Sequence, residues 1–301
     1  MKRLATIVLN WNGLADTLAA LDSLSRCRLP EGWTHSILVV DNGSTDGSVA
    51  ALRGRPDLEL LANSANLRYA AGNNVGLRRA LEQGADAIML LNNDVEADPG
   101  LLERLLLALD QDPEAGAAGP LIYYAPPTDR VWYAGGDCVP ALGLSRHRGI
   151  RSRDEGQYRT IERTGYLTGC CLLARREVWE RVGLLDEGYY IYAEDSDWCL
   201  RAREMGYRLL FVPTARLWHK VSASSGISSP WKMYHRARAN LHLFATHARG
   251  IGRLTWLPAS LVLQGLVALR LLAGGHVAAA AAVPRAFVDA ARGVPAGEAM
   301  P

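Results

Sequence analysis

Several stretches gather carboxylates, amides or a histidine where an apolar run ends. "VVDNGSTDGS" (39–48) sets Asp41 at the end of such a run, where its carboxylate can accept hydrogen bonds from the N–H of a planar ring. Ser44 or Thr45 behind it can cap a helix, whose N-terminus favours anions. "LNNDV" (91–95) offers Asp94 behind Asn92 and Asn93. Mg2+ commonly uses one or two carboxylates together with substrate phosphates, so one Asp suffices if a diphosphate supplies other oxygens. The same three residues also make an Asx turn. "YYIYAEDSDW" (189–198) clusters Glu194, Asp195 and Asp197 at a helix start. Acids there suit the helix dipole, and one of them pointing into a cleft can act as a general base. The aromatic run ahead of them can line a pocket for a sugar or other ring. "RLWHKVSASSG" (216–226) places His219 just past a strand, able to ligate a metal, donate to phosphate or stand as polar surface. Ser222, Ser224, Ser225 and Gly226 after it can form a lid or a plain loop.

The elements that must position these groups alternate. Strands are expected at 4–10, 36–41, 58–62 and 86–91, and helices at 15–26, 46–54, 73–83 and 99–110. Asp98 is expected to cap the last helix, with Pro99 in its first turn. "NLRYAAGNNVG" (66–76) reads as a Gly-containing loop, with Arg68 able to face a phosphate and Asn73 or Asn74 capping the next helix. Strand–helix alternation predicts an α/β fold with a mostly parallel sheet, in which ligands bind beyond the C-terminal strand ends. Asn10, Asp41 and Asn92 to Asp94 all fall there. Residues 123–165 read as loops and edge strands. A strand "GYLTGCCLLA", helices at 175–183 and up to Met205, and a strand "YRLLFVP" follow. A helix is expected at 231–248, then the apolar run 254–272.

That run is long enough to cross a bilayer, but Pro258, Gln264 and Arg270 interrupt it, so it is expected to lie in the interface or dock rather than span. Residues 231–301 carry eight Lys/Arg against two acids, a charge of +6, which leaves −4 for the rest of the 301-residue chain. A basic, apolar tail on a mildly acidic body fits an anionic membrane surface. The net charge of +2 gives no case for nucleic acid. Five cysteines without a C-x-x-C give no disulfide framework or zinc site, so reduced thiols and a cytoplasmic location are expected. The apolar run Leu4–Leu9 is too short for a signal peptide.

In their order, "VLNWNG", "VDNGSTDGS", "NLRYAAGNNVG", "LNNDV", "TGCCLLARREVWERVGLLDEGYYIYAEDSDWCLRAREMGY" and "WHKVSASSG" resemble family 2 glycosyltransferases of the GT-A fold, above all the bacterial rhamnosyltransferase-like branch. The resemblance implies a GT-A domain over 1–230, with 231–301 as a helical, basic and apolar segment able to associate with the inner face of the cell membrane. It implies an inverting transfer from a nucleotide-diphospho-sugar donor to a glycan or lipid-linked acceptor, with Mg2+ or Mn2+ as cofactor. Asp41 would bind the nucleobase, Asn10 the nucleoside, and Arg68 the base or diphosphate, with Asn73, Asn92 and Asn93 lining the donor pocket. Asp94 matches the last acid of the metal motif, and His219 completes the metal site. Asn92 and Asn93 replace the earlier acids, so metal affinity should depend on bound donor. Asp195 matches the catalytic base. Glu194, Asp197 and Trp198 fall on the acceptor side, the last two alternatively structural. The branch favours dTDP-L-rhamnose, with UDP-sugars such as UDP-galactofuranose as the alternative, because Asp41 can pair with the imide of thymine or uracil alike. A catalytically inactive glycan-binding or scaffold relative is a further reading, against which the intact Asp94, Asp195 and His219 weigh. A nicotinamide oxidoreductase lacks its G-x-G-x-x-G here.

Overall fold

The computed structural model describes residues 1–125, 128–221 and 229–299, so Ser222, Ser224, Ser225 and Gly226 lie outside the described residues. The chain opens with β1 (Lys2–Asn10), α1 (Leu14–Ser25), β2 (Trp33–Asp41), α2 (Ser48–Leu52), β3 (Glu59–Ala62), α3 (Arg68–Glu82) and β4 (Ala87–Asn92). β1 pairs in parallel with both β2 and β4, and β2 with β3. Leu4, Ile7, Val8, Val39, Val40 and Ile88 to Leu91 are buried, as expected of strands covered on both faces. Each such aliphatic side chain contributes roughly 1.5–3 kcal/mol on burial.

The chain continues through β5 (Val95–Ala97), α4 (Leu101–Gln111), β6 (Ala115–Tyr124), β7 (Val131–Tyr133), β8 (Gly136–Val139), β9 (Leu144–His147), β10 (Glu162–Arg163), β11 (Cys171–Arg175), α5 (Arg176–Val182), α6 (Glu194–Glu204) and β12 (Arg208–His219). The main sheet runs β10-β12-β6-β11-β4-β1-β2-β3. β11 is antiparallel to both β4 and β6, while β6 and β12 are parallel. The inserted antiparallel strand brings the turn ahead of β11 against the C-terminal end of β4.

Three expectations shift. α3 begins at Arg68, not at residue 73, because "YAAGNN" is helical. Gly72 and Gly76 let that helix lie directly on β1: a Cβ would stand 2.7 Å from Leu9 Cδ1 at Gly72 and 2.6 Å from Ile7 Cγ2 at Gly76. Close packing, not a loop, is what these glycines serve. "GYLTGC" (165–170) makes only an isolated bridge at Tyr166 and a turn at Gly169 and Cys170, and the strand starts at Cys171. Asp98 bonds the amide of Gly100 and the guanidinium of Arg104 in an Asx turn instead of capping α4.

Helices α7 (Pro230–His247), α8 (Gly252–Ala273), α9 (Val277–Ala291) and α10 (Ala296–Ala299) complete the chain. α7 joins the main core through Ala239, Leu243 and Phe244, and meets α9 in a second cluster around Tyr234, Ala237 and Val283. α8 turns Trp256 and Leu271 inward and leaves Leu254, Leu261, Val262, Leu266 and Leu269 exposed.

A buried ion network ties α6 to α7 and gives Asp197 the structural one of its two expected roles. Its carboxylate takes Arg201 Nε at 2.8 Å and His247 Nε2 at 2.7 Å, with His247 Nδ1 3.2 Å from Glu204. Burial opposes charge on both partners, but the hydrogen bonds and opposite charges outweigh it, so Asp197 is lowered and His247 raised from their ordinary ranges. Trp198 likewise takes the structural role. It is fully buried, 4.3 Å from the Trp179 ring, and donates from Nε1 to Gly183 O at 2.9 Å.

His247→Ala strands part of the Asp197 charge and is expected to cost about 3 kcal/mol in urea unfolding. The His247 contribution is fully present below the ordinary histidine range and fades as pH rises through its raised pKa. The wild-type advantage over the variant should therefore shrink from pH 6 to pH 8.5, and an advantage independent of pH would refute a charged His247.

Candidate active site

The first part of the site is a polar floor at the ends of β1 and β2. Asn10 and Asp41 are partners in the parallel register. Asn10 Nδ2 donates to Asp41 Oδ2 at 2.7 Å, and the Ser44 amide donates to Asp41 Oδ1 at 2.8 Å. Asn10 Oδ1 accepts from Thr17 Oγ1 at 2.8 Å and from Asn93 Nδ2 at 3.3 Å. Both Asn10 and Asp41 are fully buried. Asp41 therefore presents no open edge to a nucleobase in this structure; it locks the turn through Asn10 and Ser44. Ser44 and Thr45 do not cap α2; Asp46 holds the Ser48 amide instead, at 3.0 Å. Trp11, one residue past β1, is 56% exposed above this floor.

Asn42 knits the floor to α3. Its Oδ1 accepts from Asn63 Nδ2 and the Leu67 amide, both at 3.1 Å, while its Nδ2 donates to Asn66 and to Arg68 O. Arg68 has φ 70° and lays its guanidinium 3.6 Å from the Tyr190 ring centroid. Gly297 packs beside that pair. Asn73 is not in the pocket. It is buried and donates to Tyr69 O at 2.9 Å, one turn back in its own helix.

The second part is the pair Asp94 and His219. β5 and β12 pair antiparallel, with Val95 opposite His219, and the Lys220 amide donates to Asp94 O at 2.9 Å. This sets His219 Nε2 3.0 Å from Asp94 Oδ1. His219 is buried, its Nδ1 has no hydrogen-bond partner among the described residues, and its ring meets Trp132 edge-on at 4.6 Å. Among the described residues no three His, Cys, Asp or Glu gather as a metal cage. Asp94 and His219 nonetheless fit an ion that takes other ligands from a substrate. Asn92 and Asn93 are half-buried beside Asp94, and the Asn93 amide is spent on Thr17 and Asn10.

The third part is the carboxylate pair at the start of α6. Tyr192 and Ala193 both take positive φ, 70° and 68°, an unfavourable pair of conformations for non-glycine residues next to Glu194 and Asp195. Asp195 Oδ2 accepts from the Gly169 amide at 2.8 Å and Oδ1 from the Ser196 amide at 2.6 Å. Gly169 is required at that turn. A Cβ there would sit 2.4 Å from Tyr69 Oη, which donates to Gly169 O at 2.7 Å. Glu194 is buried with Oε2 unpartnered among the described residues, and burial, reinforced by the charge of Asp195, pushes its carboxyl up to about 8. Burial also raises Asp195, against the two amides that favour its charged form. Burial thus favours the protonated form of Glu194, while the two amides favour the charged form of the half-buried Asp195. Burial first, then the charges of Asp94 and Asp195, raise the Cys170 thiol, so both acids lie within electrostatic reach of one buried sulfur.

Tyr69, Gly169 and Trp132 were not singled out from sequence. Gly169 had a signal in "TGCC", whereas Trp132 sits in a segment without periodicity.

The site lies at the C-terminal ends of β1, β2 and β4. A 300 Å3 cavity at the opposite edge, lined by Lys2, Trp33, Asp86 and Arg175 among others, touches none of these residues.

The family model described as Glycosyl transferase family 2 matches residues 7–183. An N-acetylglucosaminyl-diphospho-decaprenol L-rhamnosyltransferase of Mycobacterium tuberculosis is 34% identical over 212 residues, covering 64% of this chain and 68% of that protein. A dTDP-rhamnosyl transferase of Shigella flexneri is 26% identical over 213 residues, covering 67% and 68%. Among solved structures, a mannosyltransferase from Pyrobaculum calidifontis in complex with GDP-Man and Mn2+ is similar in fold, with a TM-score of 0.59 at 19% identity, over 95% of this chain and 86% of that one. S. aureus TarS in complex with UDP has a TM-score of 0.55 at 17% identity, over 87% and 72%. The α/β fold is thus the GT-A glycosyltransferase fold, and the chain belongs to glycosyltransferase family 2.

Proposed function

We propose that the protein is an inverting, metal-dependent glycosyltransferase that moves L-rhamnose from dTDP-L-rhamnose to a lipid-linked or cell-surface glycan acceptor. The observation that carries the reading is Asp195, a half-buried carboxyl whose two oxygens accept from the Gly169 and Ser196 amides, beside the buried Glu194, whose own carboxyl burial pushes up to about 8. An acceptor hydroxyl is a poor nucleophile until a base takes its proton, an effect of about 10²–10⁴-fold. Asp195 takes that proton as the oxygen attacks the anomeric carbon, and the Gly169 and Ser196 amides fix the direction of its lone pairs. Neutral Glu194 keeps a second negative charge away from the base. The names of the two rhamnosyltransferases support the choice of sugar and, for the mycobacterial one, a diphospho-lipid acceptor.

Asp94 and His219 would hold Mg2+ or Mn2+, which when bound offsets negative charge developing on the leaving diphosphate. Mn2+ in the mannosyltransferase complex supports a divalent ion. Arg68, with Tyr190 under its guanidinium, would flank the donor, and exposed Trp11 would offer it an aromatic face. In this reading residues 1–230 are the catalytic part and residues 231–301 a helical part packed on it. The outward apolar face of α8 would lie on the inner face of the membrane, since its other side packs on the protein.

Three outcomes are expected. A thermal-shift panel of dTDP- and UDP-sugars, with and without Mn2+, should show the largest stabilisation by dTDP-L-rhamnose with metal and little by metal alone; stabilisation by no nucleotide sugar would overturn the reading. Asp195→Asn should lose at least about 10²-fold in turnover while keeping that donor shift, and retained turnover would remove Asp195 as the base. Because the Glu194 carboxyl is raised from 4.5 to about 8, the folded state holds a proton that the unfolded chain releases. Its stability contribution is present below the ordinary Glu range and lost as pH rises through about 8. Glu194→Gln should flatten the fall in urea midpoint between pH 5 and pH 8.5, and an unchanged slope would contradict the buried neutral acid.

A further inference from the structure

Lys232, Arg236 and Arg151 stand near the site, and none of the three has an acidic partner among the described residues. Lys232 and Arg236 stand one turn apart on α7, on one face, where like charges repel. Arg151 follows β9 at φ 66°, its amide donating to Val131 O at 2.7 Å. None of the three side chains makes an ion pair or hydrogen bond among the described residues. They act on one another: burial, then the charges of Arg236 and Arg151, lower the Lys232 ammonium.

Their position is fixed by neighbours on both sides. Trp231 meets Tyr192 at 6.3 Å, two residues before Glu194, and the charge of Arg236 reaches Tyr192 and His147. His147 packs on Trp132 at 4.5 Å, the ring that also packs on His219. Arg151 is tied by its backbone to Val131, next to that same Trp132. The α7 end of the cluster is thus tied through Trp231 to the start of α6, and its Arg151 end through Val131 and Trp132 to His219.

Three such cations suit a ligand with several negative charges and strong acceptor oxygens. The donor diphosphate has Asp94, His219 and their ion to answer it. A second diphosphate, on the acceptor, has this cluster. α7 also packs against α8, whose exposed Leu261, Leu266 and Leu269 give an attached hydrocarbon chain an apolar surface to follow.

We infer that Arg151, Lys232 and Arg236 bind the diphosphate of a prenyl-diphosphate-linked acceptor, an inference that rests on the glycosyl-transfer reading and names its acceptor class. The test is calorimetric titration of the full chain with farnesyl diphosphate in detergent. Arg236→Gln and Lys232→Gln should each weaken binding about tenfold or more, the loss of one charge-assisted contact, while Arg292→Gln, an exposed arginine near the C-terminus, leaves it unchanged. Saturating dTDP with Mg2+ should not displace farnesyl diphosphate; displacement would give the cations to the donor and overturn the inference. Equal weakening of binding to phosphatidylglycerol vesicles in the two variants would make the cluster a general membrane contact and also overturn it. Unchanged farnesyl diphosphate affinity in both variants would do the same. A protein that binds farnesyl diphosphate through these residues, yet is stabilised by no nucleotide sugar, would keep this site and lose the transferase reading. The two failures are thus separable.

Discussion

The Gly169 amide donating to Asp195 is the contact on which the site depends. It joins the start of α6 to the turn ahead of β11, and that turn is itself clamped by Tyr69 from α3 and by the Asn92 amide, which donates to Cys170 O at 3.0 Å. One backbone hydrogen bond therefore reports on three elements far apart in sequence. It exists because β11 enters the sheet antiparallel, beside β4, with its first residue at the end of β4 that carries Asp94. A parallel strand there would bring the loop that follows it, and not the turn that precedes it, to that edge.

The same contact resolves an electrostatic conflict. Two adjacent carboxylates in a poorly solvated place cannot both stay ionised cheaply. Backbone amides go to Asp195 and none of the described groups goes to Glu194 Oε2, so the proton is driven onto one of them. The positive φ of Tyr192 and Ala193 is the conformational cost of presenting the pair this way.

Much of this could be read from the chain before folding it, and the failures have physical reasons. β4 was legible because "AIMLL" is a continuous apolar run with polar residues at its end. Asp94 and His219 were legible as chemistry, and the structure puts them 3.0 Å apart, a distance no spacing of 125 positions could supply. α3 was read to begin late because glycine usually marks loops, whereas Gly72 and Gly76 face β1 and are paid for by packing. Trp198 and Asp197 stayed open between acceptor-side and structural because a helix start shows many residues but only some face a cleft. The helix turns Glu194 and Asp195 one way and Asp197 and Trp198 into the core. Asp41 and Asn10 were identified as polar strand ends, but the parallel register makes them each other's partners.

The C-terminal helices are part of this arrangement and not an appendage to it. α7 is held to α6 by the buried Asp197–His247 pair, at the end of α7 away from Trp231. A helix anchored at its far end and capped by Ser229 at its near end presents Trp231, Lys232 and Arg236 at a fixed angle to Tyr192. The buried pair is therefore a poor source of net stability but a good source of direction, since removing either partner leaves a charge that the core cannot hold. Direction is what the exposed cations need. Free side chains on a mobile helix would bind any anion weakly, whereas side chains on a helix pinned to α6 share a frame with Asp195. The unbalanced charge at one end of α7 and the balanced charge at the other are thus held in one frame with α6, which carries Asp195.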